Sequence, residues 1–207
     1  MKAVIHILLL SLLVFANSDV ITLADFPAPF RLGDRPVNRF ASNVLVFAPN
    51  LTVITGDMAD GSDVVGAIDL IGEFTTSSIR AEGFKPGVIP QKSSIPTVMK
   101  LASEISNLSA YNAIVIGGPC ANSAAAVLLN VSGPCQETVP LNASVVKLFK
   151  HANGNYALLV NGQRALDTRI AVRAIRMGLL ANMTGTTALV TGSSFSLDNI
   201  RVSEYSP

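Results

Sequence analysis

The chain has 207 residues, of which 49% are hydrophobic and 14% charged, with a formal net charge of +1. That balance supports a packed core and argues against a disordered chain. Near-neutrality, 6% aromatic residues and no Trp speak against a nucleic-acid footprint, an anionic membrane surface as partner, and a broad stacking platform.

Residues 1–18 read as an export signal. Lys2 precedes an apolar run from Ala3 to Phe15, and small residues at Ala16 and Ser18 stand before Asp19. A buried first strand or helix, or an uncleaved anchor, is the alternative. The run is short for a membrane span and no later segment is long enough, so no transmembrane anchor is expected after cleavage. Without Lys2, basic and acidic residues balance at 14 each. Residues 19–40 are rich in Pro and charge and read as an extended N-terminal arm rather than a core element.

Residues 41–184 carry three units of one pattern: "LTVITGDMADGSDVVGAIDLIGEF" (Leu51–Phe74), "AIVIGGPCANSAAAVLL" (Ala113–Leu129) and "ALLVNGQRALDTRIAVRAIRM" (Ala157–Met177). Each opens on an apolar run, turns at Gly and continues with helical spacing. Continuous apolar runs such as Ala113–Ile116 and Ala157–Val160 suit strands buried on both faces. The expected fold is therefore α/β: three layers around a mostly parallel sheet with helical crossovers. In the first unit Ser62 or Asp63 caps a helix with Val64, Ile68 and Ile71 along its apolar stripe. Between the first two units, "SSIPTVMKLASEIS" predicts a helix from Ser94 through Ser106. In the third, Leu166, Ile170, Ala174 and Met177 form the stripe, Gly178 stops the helix, and Arg169, Arg173 and Arg176 form a solvated face. Residues 185–207 make a C-terminal β-strand extension with runs at Thr187–Thr191 and Ile200–Ser203. These runs either add edge strands or leave the domain to pair with a neighbouring module.

The residues that could carry chemistry are few. Cys120 and Cys135 are the two cysteines. In an oxidising compartment they would close a loop worth roughly 3 kcal/mol; the alternative is two buried thiols. Five N-x-[ST] sequons begin at Asn50, Asn107, Asn130, Asn142 and Asn182, all glycosylation candidates in an exported chain. Asn107, Asn130 and Asn142 fall in turns, whereas Asn50 and Asn182 adjoin apolar runs and are candidates for burial. The turn at Gly117-Gly118-Pro119 invites a phosphate. However, it lacks the Lys of a P-loop and the third Gly of a dinucleotide fingerprint, and Pro119 removes an N–H. Asn122 or Ser123 is then the helix cap. His151 is the single His beyond the leader and reads as a turn residue; it would have to serve any Ser-His-Asp triad, and no G-x-S-x-G elbow accompanies it. Asp57, Asp60 and Asp63 share one loop. Calcium would suit three such carboxylates, but their spacing is not that of an EF-hand, and acids that favour the helix dipole are the simpler account. No cofactor is otherwise expected.

"LADFPAPF" (Leu23–Phe30), "SDVVGAIDLI" (Ser62–Ile71), "VIGGPCANSAAAVLL" (Val115–Leu129), "VKLF" (Val146–Phe149) and "LLVNGQRALDTRIAVRAI" (Leu158–Ile175) occur in an order that resembles the archaeal S-layer protein family. The GGP-C-x-N and D-T-R-x-A segments carry most of the likeness, which spans Leu23 to Met177. It implies an extracellular, commonly glycosylated coat subunit without catalytic function, whose partners are other S-layer subunits or further copies of itself. Gly117, Gly118, Asn122, Asp167, Thr168 and Arg169 then match family-motif positions, for which a structural role is expected. Asp167 suits a helix N-terminus, and Arg169 is placed to reach a neighbouring loop or carboxylate. The chain is short for that family and reads as a single α/β module over 41–184. The leading expectation is a secreted structural protein of a surface layer. The alternative is a secreted cell-wall polymer or glycan-binding module using loops at the strand carboxyl ends.

Overall fold

The computed structural model describes residues 21–26, 31–36, 43–47, 51–77, 98–132 and 139–206. The expected leader, Asn50 and Cys135 lie outside the described residues. β1 (Arg31–Pro36) and β2 (Asn43–Phe47) form an antiparallel pair apart from the main sheet. The main sheet then builds in chain order from β3 (Leu51–Thr55), α1 (Gly61–Ser77), β4 (Val98–Leu101), β5 (Asn112–Ile116), α2 (Ser123–Leu129), β6 (Ala143–Lys150), β7 (Tyr156–Gly162), α3 (Ala165–Arg176), β8 (Thr187–Thr191) and β9 (Arg201–Glu204).

The seven strands lie in the order β4-β3-β5-β7-β6-β8-β9. β4, β3, β5 and β7 pair in parallel, whereas β6 pairs antiparallel with both β7 and β8, and β8 with β9. The fold is α/β with a mixed sheet in which β6 and β9 run against the other five. A tight turn after β6 makes this inevitable. His151 donates its N–H to Asn155 and accepts from Gly154, so β7 must return beside β6.

Alternation along the central strands sends side chains into two cores. Leu51 and Val53, Ile114 and Ile116, and Leu158 and Val160 face α1 and α3. Ile54, Ala113, Val115, Ala157 and Leu159 face α2 and the short 3-10 turns at Ala102–Glu104 and Leu108–Ala110. Fully buried strands of this kind read as continuous apolar runs, and each fully buried Leu or Ile contributes about 1.5–3 kcal/mol.

Several elements differ from the sequence expectations. Val98–Leu101 is a strand, not the middle of a helix from Ser94 to Ser106, because it finds an open parallel register against Thr52–Thr55; tertiary pairing overrides local helical spacing. The core face of α1 carries Asp63, Ala67 and Leu70, while Ile68 is exposed. The small Gly66 and Ala67 lie on the buried side of α1, where it packs beside α3, and a Cβ on Gly66 would touch Val172 at 3.4 Å. Leu166 in α3 and Met177 just beyond it are exposed, and Asp167, Thr168, Ile170, Ala171, Val172, Ala174 and Ile175 are buried. A helix pressed against both a sheet and a neighbouring helix buries a wider arc than one stripe.

Described parts of both terminal segments also join this unit. Leu23, placed in the arm 19–40, is fully buried in the main core and donates its N–H to Gly185 at 2.9 Å. The segment 185–207 supplies Ala188, Val190 and Ile200 to the same core, so β8 and β9 extend the sheet rather than leave it.

Candidate functional site

The site is built where the sheet changes direction of travel. β3 and β5 are neighbours, yet the helix after β3 packs on one face and the helix after β5 on the other. At such a switch point the two connections diverge and leave a crevice beyond the strand carboxyl ends. A cleft of about 210 Å³ opens there. Its walls come from the loops after three strands: Met58, Asp60 and Asp63 after β3, Gly118 to Ala121 after β5, and Asn161 to Ala165 with Thr168 around the end of β7.

The backbones around this cleft touch closely. A Cβ on Gly56 would lie 1.9 Å from the Ala121 carbonyl oxygen, and one on Gly162 would lie 2.2 Å from the Thr168 nitrogen. Gly117 takes φ +100°, a conformation that favours glycine. Gly118 leaves room for the Asn161 side chain, 2.8 Å from where its Cβ would be. Thus both glycines of the GGP motif have steric roles.

Asn122 is fully buried and caps α2. Its Oδ1 accepts from the Ala124 N–H at 3.0 Å, while its Nδ2 donates to Ile116 at 2.9 Å and to Ile54 at 3.3 Å. One side chain therefore ties the carboxyl ends of β3 and β5 to the helix start. Several of the amides a phosphate would use are already committed. Ala121 and Asn122 donate to the Gly118 carbonyl, Ala125 and Ala126 donate to that of Asn122, and the cleft walls carry carboxylates.

The D-T-R segment closes the other wall. Asp167, 2% exposed, sits in the first turn of α3 and accepts three bonds from Arg164: from the backbone N–H at 3.1 Å, Nε at 2.9 Å and Nη2 at 2.9 Å. Half of the Arg164 side chain remains exposed, at 52%. Thr168 is buried against Gly162. Arg169 reaches a neighbouring loop, where its guanidinium stacks 4.7 Å from the centroid of Phe195.

The three loop aspartates do not converge. Asp57 accepts from both the backbone N–H and the hydroxyl of Ser103, binding the β3 loop to the turn after β4. Asp60 caps α1 in place of the expected Ser62 or Asp63: its Oδ1 accepts from the Ser62 N–H at 2.8 Å, and its carbonyl accepts from Asp63 and Val64. Those bonds from Ser62 hold the Asp60 carboxyl below its ordinary pKa. Asp63 instead faces inward, 6% exposed, with Oδ1 buried and unpartnered. Burial pushes its pKa up, a hydrogen bond from Thr168 opposes that, and nearby Asp60 adds to it. The sequence suggested Asp63 as a helix cap or as an acid that favours the helix dipole. The signal that could have placed it is its i, i+4, i+7 spacing with Ala67 and Leu70. No group of three or more metal-ligating side chains occurs among the described residues.

The remaining sequence candidates fall elsewhere. Cys120 lines the cleft and is disulfide-bonded; Cys135, the other cysteine of the chain, lies outside the described residues. His151 occupies the turn before β7, a strand length of about 20 Å from the cleft. Burial lowers its pKa, and its Nε2 is buried without a partner. Asn107 caps the turn Leu108–Ala110 by accepting from Ser109. Asn130 and Asn142 take left-handed φ of 53° and 57°, a conformation Asn tolerates better than other non-glycine residues. Asn182 is exposed rather than buried. Among the described residues no helix is long and apolar enough to cross a membrane.

No protein-family model matches the chain, and no curated protein matches it. Among solved structures, one titled "Structure of CpGH84D" is similar at a TM-score of 0.37 and 10% identity. The match covers 77% of this chain and 21% of that one, so the chain spans about a fifth of its length.

Proposed function

We propose that the chain is an exported, non-catalytic structural module of a surface layer, working beside other coat subunits or further copies of itself at the cell surface. One observation carries this reading: most motif residues of the S-layer resemblance are spent on the protein's own fold. Asn122 clamps two strand ends to α2, Asp167 is held by Arg164, and Gly117 and Gly118 admit close packing. Residues kept for chemistry would instead present free groups toward a substrate. Negative-stain microscopy and fractionation of purified envelopes test the reading. The chain should be abundant in the envelope fraction and self-associate without added polymer; its absence from that fraction overturns the proposal.

A second reading is favoured by Asp63. A buried carboxylate oxygen without a partner costs stability, and this one stands in the wall of the switch-point cleft. It suits a small hydroxyl-bearing group, such as one sugar unit of a cell-wall polymer, donating to Oδ1. The cleft is below the roughly 300–1,000 Å³ of sites for larger ligands, so one small group is what it holds. Pull-down on wall polymer, compared between wild type and Asp63→Asn, separates the two readings: a binding module loses retention, whereas a lattice subunit does not.

A further inference from the structure

The three arginines expected to form a solvated face do something more specific. Arg169, Arg173 and Arg176 recur at i, i+4 and i+7 on α3, so they share one side of the helix. That side looks onto α1 across a groove of about 100 Å³ lined by Gly66, Asp69, Val172 and Phe195 with the three arginines. Like charges at this spacing repel, and the chain as a whole is nearly neutral. Among the described residues Asp69 faces them, its Oδ2 3.8 Å from Arg176.

The outer two guanidiniums are positioned by their neighbours. Arg169 stacks on Phe195, an arrangement that fixes its plane, and Arg176 leans on Asp69. Arg173 stands between them, half-buried, and its Nε–H is buried with no acceptor. A buried donor left unpaired costs stability, so the arrangement lacks an acceptor at its centre. Gly66 keeps the α1 wall low, since its missing Cβ would lie 3.9 Å from Arg169 Cγ.

We propose that this groove between α1 and α3 is an oxyanion-binding site, in which Arg173, flanked by Arg169 and Arg176, takes a sulfate, phosphate or carboxylate group of a ligand. Guanidinium forks match such groups through paired N–H bonds. The groove holds a few water volumes at about 30 Å³ each, enough for a single anionic group. The site is separate from the strand-end cleft and does not depend on either functional reading above.

The test is an NMR titration of the full chain, reading the arginine Nε–H resonances at constant ionic strength. Sodium sulfate and sodium acetate are exchanged for sodium chloride in separate arms. The expected result is a saturable shift of the Arg173 Nε–H signal, weakened at least five-fold in Arg169→Gln and in Arg176→Gln. Saturation by sulfate alone identifies a tetrahedral group, by acetate alone a carboxylate, and by both the shared chemistry. An Arg173 signal that stays still or drifts linearly in both arms overturns the proposal, as does equal saturation in the Gln variants. Arg173→Lys, which keeps the charge but loses the fork, gives a second reading: sulfate should raise its Tm less than that of wild type, and an equal gain in both would reduce the effect to the general stabilisation by sulfate.

Discussion

α1 and α3 start at the same edge of the sheet, and each buries an aspartate in its first turn, yet the two carboxylates live differently. Asp167 accepts three bonds from Arg164. Asp63 is nearly as buried but keeps one oxygen unpartnered and a raised pKa. Burial alone therefore does not decide what a carboxylate does; the partner does. A buried charge with a full set of donors orders its helix start, whereas one without them is a cost that the rest of the fold carries. In a cleft whose Asp60 and Arg164 both hold partners, that cost marks Asp63 as the residue to test.

The largest effect should come from removing the close approach that sets the α3 start. Gly162→Ala puts a Cβ 2.2 Å from the Thr168 nitrogen, against backbone that cannot swing away. A loss of about 3 kcal/mol or more is expected, at the upper end of single-substitution effects, and would be read by urea denaturation. Little change would show that Asp167 and Arg164 hold the helix without the close contact. Next in size is Asp167→Ala, which removes the acceptor for the Arg164 backbone N–H and guanidinium. The expected loss is about 1–2 kcal/mol, that of an N-terminal cap. A neutral outcome would erase the contrast between the two aspartates.

Asp63→Asn should move the other way. The folded-state pKa of Asp63 is raised, so the folded protein holds this proton more tightly than the unfolded chain. Stability is then greatest below the ordinary aspartate pKa and is lost as pH rises through the raised value. As pH rises the charged form is increasingly penalised, and replacing it with a neutral amide is expected to return about 1 kcal/mol, or roughly 2–4 °C in Tm for a domain of this size. Melting curves from pH 4 to 7 check both parts: wild type should lose stability relative to Asp63→Asn as pH rises. A variant less stable than wild type at pH 7 would mean that Asp63 is satisfied in solution.

The sequence foretold the strand–turn–helix units because strands buried on both faces leave continuous apolar runs, and Ala113–Ile116 and Ala157–Val160 are such runs. It did not reveal β4, since Val98–Leu101 owes its form to the neighbouring β3. Nor did it reveal β6, in which "ASVVKLFK" carries no turn-and-helix signature. The motif positions Gly118 and Asn122 were readable as important, but their roles depend on Asn161 and on the Ile54 and Ile116 carbonyls, which only folding brings near. Asp63 escaped for a related reason. A carboxylate at a helix start is normally solvated, and only the packing of Gly66 and Ala67 beside α3 rotates it inward.

Glu204 completes the comparison with a carboxylate that has partners but no burial. Its Oε1 accepts from the Thr184 N–H and hydroxyl and from the Gly185 N–H at 3.1 Å. This latches β9 onto the loop whose Gly185 carbonyl accepts from Leu23. Those bonds, the Thr184 N–H first, lower its pKa. Its contribution is therefore present above the ordinary glutamate pKa and fades as pH falls through the lowered folded value, the opposite slope to Asp63. Because the group is exposed, Glu204→Gln should give the smallest change of the series: a slight loss of Tm at pH 7 that vanishes at acid pH. Hydrogen exchange at the Thr184 and Gly185 amides is the sharper readout, since the latch acts locally. Faster exchange of those two amides with the core unchanged is expected; an equal rise throughout the sheet would make Glu204 part of the global fold rather than a local latch.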